Sequence, residues 1–337
     1  MLDFIEQKVR ADGKDTESEV IHAIKLSIMG IYSENFLKLS ALNGLRFMNQ
    51  YMSAKQIFSI KGGNDLLPFS LAKAAEAKGV TIKLNCAVTK IKRPASDKPS
   101  TKIILTTHDD SNKPKLLEFD YVAVCTPLSA LQKSNLKEQK ENYIKFEPPF
   151  DKSRRETIDN INYNKSIARI YYEFKDRFWE NKKTAMTITN NETIWIEDHT
   201  AHLKNQSAVL EVHASAEKGN SLKKDPKAHE TAKTELETIW NKETINKNLS
   251  SNEPITFFWN KEYYQKGSYP TLGIGQALYP LILSKKLPGL SFAGEFTSVF
   301  YPASMNGAIQ SAFRARNEII ESINLIKSKK MQIARPS

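Results

Sequence analysis

The residues best placed to do chemistry lie in one run near the end of the 337-residue sequence, LSFAGEFTSVFYPASMNGAIQSAFRARNEI, residues 290–319. A short apolar strand ends in Gly294-Glu295, a loop follows, and Met305-Asn306-Gly307-Ala308 opens a helix. The first N–H groups of a helix have no partner within it, and the dipole places positive charge at that end. A group held in the loop is therefore favoured if it is anionic or becomes so. A buried strand packed on an alanine-rich helix explains the apolar positions, but not Gly-Glu and Met-Asn-Gly-Ala together. The two cysteines, Cys86 and Cys125, have no metal-ligand or redox spacing and sit in apolar stretches. They read as buried free thiols in a reducing compartment.

The elements that must hold this run can be followed from the start. Thr16-Glu-Ser-Glu19 has the form of a capping box, with Val20, Ile24, Ile28 and Ile31 following at helical spacing. A second helical stretch, Phe36 to about Met52, is expected to break at Gly44. QIFSI (56–60) reads as a strand, Gly62-Gly63 as a turn, Leu66 to Lys78 as a helix stopped by Gly79, and VTIKLNC (80–86) as a strand. From Ala87 to Val124 apolar residues alternate in period two, which predicts an antiparallel meander returning as a strand at Tyr121–Cys125. Strands are expected at 166–174, 184–189, 207–214 and 255–259, and a helix at about 226–242. LSFAGE should be a buried strand, and 306–326 a helix with Ala308, Ala312, Ala315 and Ile319 on one face. The fold class is α/β plus α+β. An α/β part (55–130 and 287–326) is interleaved with a part of mixed sheet and helices (1–54 and 131–286), and 327–337 is a tail.

The closing segment resembles the carboxy-terminal flavin motif of the flavin-containing amine oxidases, the family of monoamine, polyamine and L-amino-acid oxidases. Three more stretches agree in order: IKGGNDLLPFSLAKAAEAKGVTIKLNCAVTKI, DYVAVCTPLSAL and FFWNKEYYQKGSYPTLGIGQ. The likeness covers about residues 55–130 and 160–322. It implies that 55–130 and 287–326 form an incomplete Rossmann-like nucleotide-binding domain and 1–54 with 131–286 a substrate domain, and it implies FAD as cofactor, with Gly294 and Glu295 at its ribityl or pyrophosphate part. Met305 would offer its backbone N–H to the flavin C2 carbonyl at the Met305-Asn306-Gly307-Ala308 turn, and Val88 would make the backbone contact to adenine. It implies that Tyr269 walls the substrate amine, a role that fits the attraction of a ring face for nitrogen. Ser304 falls where the family has a second aromatic wall, Trp259 is a core or pocket-wall residue, and Arg169 stands at the family's lysine near flavin N5. Taken by themselves, Val88 is a strand residue and Tyr269 a half-buried tyrosine. The implied substrate is an amine or amino acid, oxidised by hydride transfer to flavin N5 with release of imine and hydrogen peroxide.

The sequence departs from the family pattern at its opening, where the family has strand, G-x-G-x-x-G turn and helix. The near match Gly273-Ile-Gly-Gln-Ala-Leu278 follows no strand and is rejected. Three readings stay open: a fragment, a subunit completed by a second chain that bears the glycine turn (or by a homo-oligomer), or a catalytically inactive binding or assembly subunit that has lost the cofactor site. In each, apolar surface on the strands neighbouring the absent one should be exposed. Arginine for lysine at 169 is not a silent change, being permanently charged and bulkier. The net charge of +11 comes from lysines spread along the chain, which reads as solvated surface and not as a nucleic-acid site. No apolar run reaches the roughly 20 residues that span a bilayer. The first residues, MLDFIEQKVRADGKD, have no signal-peptide core, so the expected location is cytoplasmic.

Overall fold

The computed structural model describes residues 18–34, 36–53, 60–95, 102–109, 111, 113–133, 143–163, 166–180, 186–189, 195–201, 208–250 and 253–333. The capping box expected at Thr16 and most of the strand expected at 56–60 lie outside them. Helix α1 (Ser18–Tyr32) buries Ile28 and Tyr32. Helix α2 (Ala41–Ser53) runs through Gly44, contrary to the expected break there. The break falls at Leu39-Ser40 instead, because the Ser40 hydroxyl accepts the Asn43 N–H at 3.3 Å and its carbonyl accepts the Gly44 N–H at 3.0 Å. A single glycine inside a helix costs only about 1 kcal/mol, less than such a cap and the packing behind it supply.

The Gly62-Gly63 turn forms as expected, with φ of +98° and +112°, and feeds α3 (Leu66–Glu76). The strand expected at 80–86 does not form. Val80, Ile82 and Leu84 are exposed, because a strand needs a neighbour for its main-chain groups and none lies beside this segment among the described residues. The meander follows: β1 (Ala87–Lys92), β2 (Ile103–His108), β3 (Pro114–Phe119) and β4 (Val122–Val124). The first three pair antiparallel. β5 (Lys145–Glu147), a strand not anticipated from sequence, adds to β1 in parallel, and α4 (Lys152–Asn160) follows it.

A second sheet has the order β10-β6-β9-β8-β7, all antiparallel, from β6 (Ala168–Phe174), β7 (Met186–Ile188), β8 (Trp195–Asp198), β9 (Ala208–Ala214) and β10 (Ile255–Phe258). One face carries Ala168, Ile170, Tyr172, Phe174, Leu210 and Val212 and is closed by α5 (Ala216–Lys224), α6 (Ala228–Trp240) and α7 (Lys242–Asn248). Trp179 is fully buried there, its ring against Phe174, Phe178 and Trp240 and its Nε1 donating to Asp198 Oδ2 at 3.0 Å. α5 approaches so closely that a Cβ on Gly219 would lie 1.8 Å from the Ser166 carbonyl oxygen. The other face of the sheet is polar.

The chain closes with α8 (Tyr279–Ser284), β11 (Leu290–Phe292) and α9 (Met305–Ile333). β11 pairs in parallel with β4, the return predicted for the 121–125 strand. The buried stripe of α9 is Gly307, Ser311 and Ala315, while Ala312, expected on it, is exposed. Ala315 is buried and Ala308 and Ile319 half-buried, as expected, and only Ala312 is replaced on the face, by Ser311, which donates to the Ala308 carbonyl and accepts the Gly294 N–H. The thiols are not buried as expected: Cys86 is half-buried and Cys125 exposed. Cys125 lies one residue past β4, which has no neighbour but β11 among the described residues. Desolvation still raises the Cys125 thiol above its ordinary pKa. The exposed apolar surface expected on the neighbouring strands lies elsewhere, since β11 is buried throughout and Val124 of β4 is buried. No residue of α3 is buried, and Phe69, Leu84 and Phe313 are 68%, 83% and 63% exposed.

Candidate active site

The loop between β11 and α9 is built for close approach. Gly294 has φ +146°, and a Cβ there would lie 2.5 Å from the Phe296 ring. Gly307 in the first turn of α9 would place a Cβ 1.9 Å from the Tyr301 carbonyl oxygen, so the loop and the helix start can lie together only with glycine. Ser304 caps the helix: its hydroxyl accepts the Gly307 N–H at 3.1 Å and donates to the Tyr301 carbonyl at 2.8 Å. Met305 and Asn306, at the dipole's positive end, are exposed. Ala308 is half-buried, its N–H bonded back to the Ser304 carbonyl.

Glu295 lies at the start of a short 3-10 turn, where its carboxylate accepts the Tyr163 hydroxyl at 3.3 Å, and Gln265 Nε2 donates to that hydroxyl at 3.3 Å. Burial raises the pKa of Glu295, outweighing the bonds from its own N–H and from Tyr163 that lower it. The folded protein therefore holds this proton more tightly than the unfolded chain does. The stabilising contribution is full below the ordinary value of 4.5 and is lost as pH rises through the higher folded value. Glu295→Gln should thus melt with the parent near pH 4 and above it at pH 7, as read by thermal denaturation without flavin. A melting difference that does not change with pH would refute this.

Tyr269 is half-buried, its hydroxyl donating to the Ile31 carbonyl at 2.6 Å and lying 2.8 Å from Ser33 Oγ, so the end of α1 fixes the ring. It is near enough to Arg169 to act on its charge. Arg169 is the second residue of β6, on the polar face, opposite Phe257 of β10 and His213 of β9. Its Nη1 donates to Glu211 Oε2 at 3.2 Å. Glu211 also receives His199 Nε2 and, at 3.3 Å, His213 Nδ1. Burial alone would raise Glu211, but these imidazole bonds and the charge of Arg169 outweigh it and hold the carboxyl well below its usual range. The bond to Glu211 raises His199, whereas burial lowers His213 and keeps it neutral.

Trp259 follows β10, half-buried, with its ring 5.1 Å from Phe257. Val88 lies in β1, where the register shifts between Val88 and Lys90, and it packs on the second core cluster. The glycine-rich segment 273–278 forms a turn leading to α8 and makes no strand-to-helix phosphate loop, in line with its rejection. Sequence reasoning missed Glu211, His199, His213, Tyr163 and Gln265. The only available signal was Glu-Val-His inside the otherwise apolar strand AVLEVHA. Among the described residues no group of His, Cys, Asp and Glu could hold a metal, and no helix is long and apolar enough to cross a membrane.

Residues 7–320 match the sequence profile of a family described as flavin containing amine oxidoreductase. The L-amino-acid oxidase of Gloydius halys is 28% identical over 138 residues, 41% of this chain and 24% of that protein. Amine oxidase [flavin-containing] A of Sus scrofa is 24% identical over 316 residues, 89% of this chain and 55% of that protein. The matched part thus spans from a quarter to about half of these relatives' lengths. Wild-type putrescine oxidase bound to putrescine superposes with a TM-score of 0.72 at 16% identity, over 94% of this chain and 67% of that one.

Proposed function

Because the chain belongs to the flavin containing amine oxidoreductase family, we propose that it forms the larger part of an FAD-dependent oxidase acting on an amine or amino acid. The observation that carries this is the glycine-permitted contact between the 294–304 loop and the start of α9, with its exposed N-terminus and the half-buried Glu295 beside it. Such a corner fits the sugar-alcohol and ring end of a flavin: a carboxylate for a hydroxyl, N–H groups for a carbonyl that gains negative charge. Glu295 would hold the ribityl or pyrophosphate part and Met305 N–H the C2 carbonyl, with Gly294, Asn306, Gly307 and Ala308 giving room and Val88 the adenine contact. FAD, when bound, supplies the two-electron acceptor that turns the amine into an imine, with oxygen as final oxidant giving hydrogen peroxide.

The chain's own residues bind and orient. Tyr269 presents a ring fixed from α1, Trp259 and Ser304 bound the pocket, and Arg169 places a charged group where the family has lysine. Residues 55–130 and 287–326 then form the cofactor-binding part, and 1–54 with 131–286 the substrate part. The glycine turn for the pyrophosphate would come from a further segment, in the same or another polypeptide. That β4 pairs only with β11 among the described residues, and that apolar residues of α3 and 80–84 are exposed, support this. Arg169, already engaged by Glu211, favours a second reading, a binding or assembly subunit without flavin.

Titration of the chain with FAD decides, alone and with a separately expressed strand–GxGxxG–helix segment. Bound flavin absorbance in either arm supports the oxidase. No binding in both arms, with the chain folded, leaves the second reading.

A further inference from the structure

The inner face of α9 carries three polar side chains at one-turn spacing, Ser311, Arg314 and Glu318, and all three reach β11 or the turn that follows it. Ser311 Oγ accepts the Gly294 N–H at 2.8 Å. Arg314 Nη2 donates to the Phe292 carbonyl and, at 3.1 Å, to Thr297 Oγ1, whose own proton goes to the Gly294 carbonyl at 2.8 Å. Arg314 Nη1 donates to the Ser284 carbonyl at 3.0 Å and to Glu318 Oε1 at 2.6 Å. Glu318 Oε2 accepts the Ser291 hydroxyl, so one carboxylate ties the guanidinium to β11.

The turn needs such a hold. Gly294 has φ +146°, and glycine is the residue with the widest backbone freedom, so a turn built on it keeps one form only where its main-chain groups are met. Here the Phe292 carbonyl and the Gly294 N–H are met from α9 directly, and the Gly294 carbonyl through Thr297. A guanidinium suits the task, because its planar fork reaches acceptors from two nitrogens at once where an ammonium donates from one. The hydrogens on Nη1 and Nη2 have their acceptors within the protein, which leaves none for a ligand. Nor does Arg314 act on Glu295 by charge: the titratable side chain that faces this carboxyl is Tyr163.

We propose that Arg314 is the positioning residue of this corner: it holds the Gly294-Glu295 turn in the form that sets the Glu295 carboxyl against the Tyr163 hydroxyl, and touches no cofactor itself. Without the fork, the turn loses its bond at Phe292 and the link through Thr297 together, one on each side of Gly294, and Glu295 is free to swing toward water. The turn belongs to the site proposed above, so the consequence for flavin rests on that reading, while the placement of Glu295 does not.

The test follows the side-chain carboxyl carbon-13 signal of Glu295 against pH in the full chain without flavin, assigned with Glu295→Gln. Arg314→Lys keeps a positive charge beside Glu318 but not the fork. Both the position of the signal and its midpoint should change, the midpoint falling toward the ordinary 4.5. Thr297→Val cuts only the link to the Gly294 carbonyl and should do the same in smaller measure, which keeps the test available if Arg314→Lys fails to fold. A residue that merely stabilised α9 would lower the melting temperature and leave the signal of the folded protein in place, and an unchanged signal in the folded variants overturns the proposal. Titration with FAD is read separately, by flavin fluorescence, and Arg314→Lys should bind about tenfold more weakly than the parent. A parent that binds no FAD sinks the flavin reading and leaves the carboxyl signal to decide on Arg314. A moved signal with FAD affinity within twofold of the parent's keeps Arg314 as the holder of the turn and removes Glu295 from the flavin.

Discussion

Gly307→Ala should lower FAD affinity roughly 10- to 100-fold and destabilise the fold by about 1–3 kcal/mol, as overpacking does, which also lowers the melting temperature. In an open helix position the same substitution stabilises by up to about 1 kcal/mol, because alanine loses less backbone freedom than glycine. Here the added Cβ would stand 1.9 Å from the Tyr301 carbonyl oxygen and 3.1 Å from Ser298 Cβ, and the nearest atom is backbone that cannot swing away. Either the 298–304 loop or the first turn of α9 must move, and both carry the groups assigned to the flavin. Flavin fluorescence quenching and a thermal melt check the two parts. An affinity within twofold of the parent's would remove the close approach from any role in binding.

Trp179→Ala should cost about 3–5 kcal/mol, lowering the melting temperature by roughly 4–7 °C. The ring is fully buried in a cluster with Phe174, Phe178 and Trp240, so its removal leaves a cavity that three aromatic neighbours cannot close. It also takes the Nε1 donor from Asp198, itself 7% exposed, which keeps Arg177 at 3.3 Å as a partner. Trp179→Phe should recover about half of the loss, since most of the apolar contact returns but the donor does not. Denaturant unfolding followed by far-UV circular dichroism measures both. A loss under about 1 kcal/mol for the alanine variant would show that this cluster does not carry the stability of the sheet.

Much of the fold was legible because it rests on local pattern. Period-two alternation marked β1 to β3, and ARIYYEF and AVLEVHA marked the centre of the second sheet. The missed elements are those whose existence depends on a distant partner. β5 is three residues long and is a strand only because β1 lies beside it, and β8 only because β9 does. The 80–86 segment is the converse, a strand by composition that has nothing to pair with among the described residues.

The sequence by itself determined the family likeness, the Gly294-Glu295 and Met305-to-Ala308 segments and the candidates Tyr269 and Arg169, because these depend on residue type and order along the chain. Only the tertiary structure decided that Ser304 caps α9, that half-buried Glu295 takes the Tyr163 hydroxyl, and that Arg169 shares a carboxylate with two histidines. Those contacts join residues 42 to 132 positions apart in the cases of Arg169 with Glu211 and Tyr163 with Glu295. Strand register and burial set them, and with them the charge each group carries, and neither can be read from the chain taken one segment at a time.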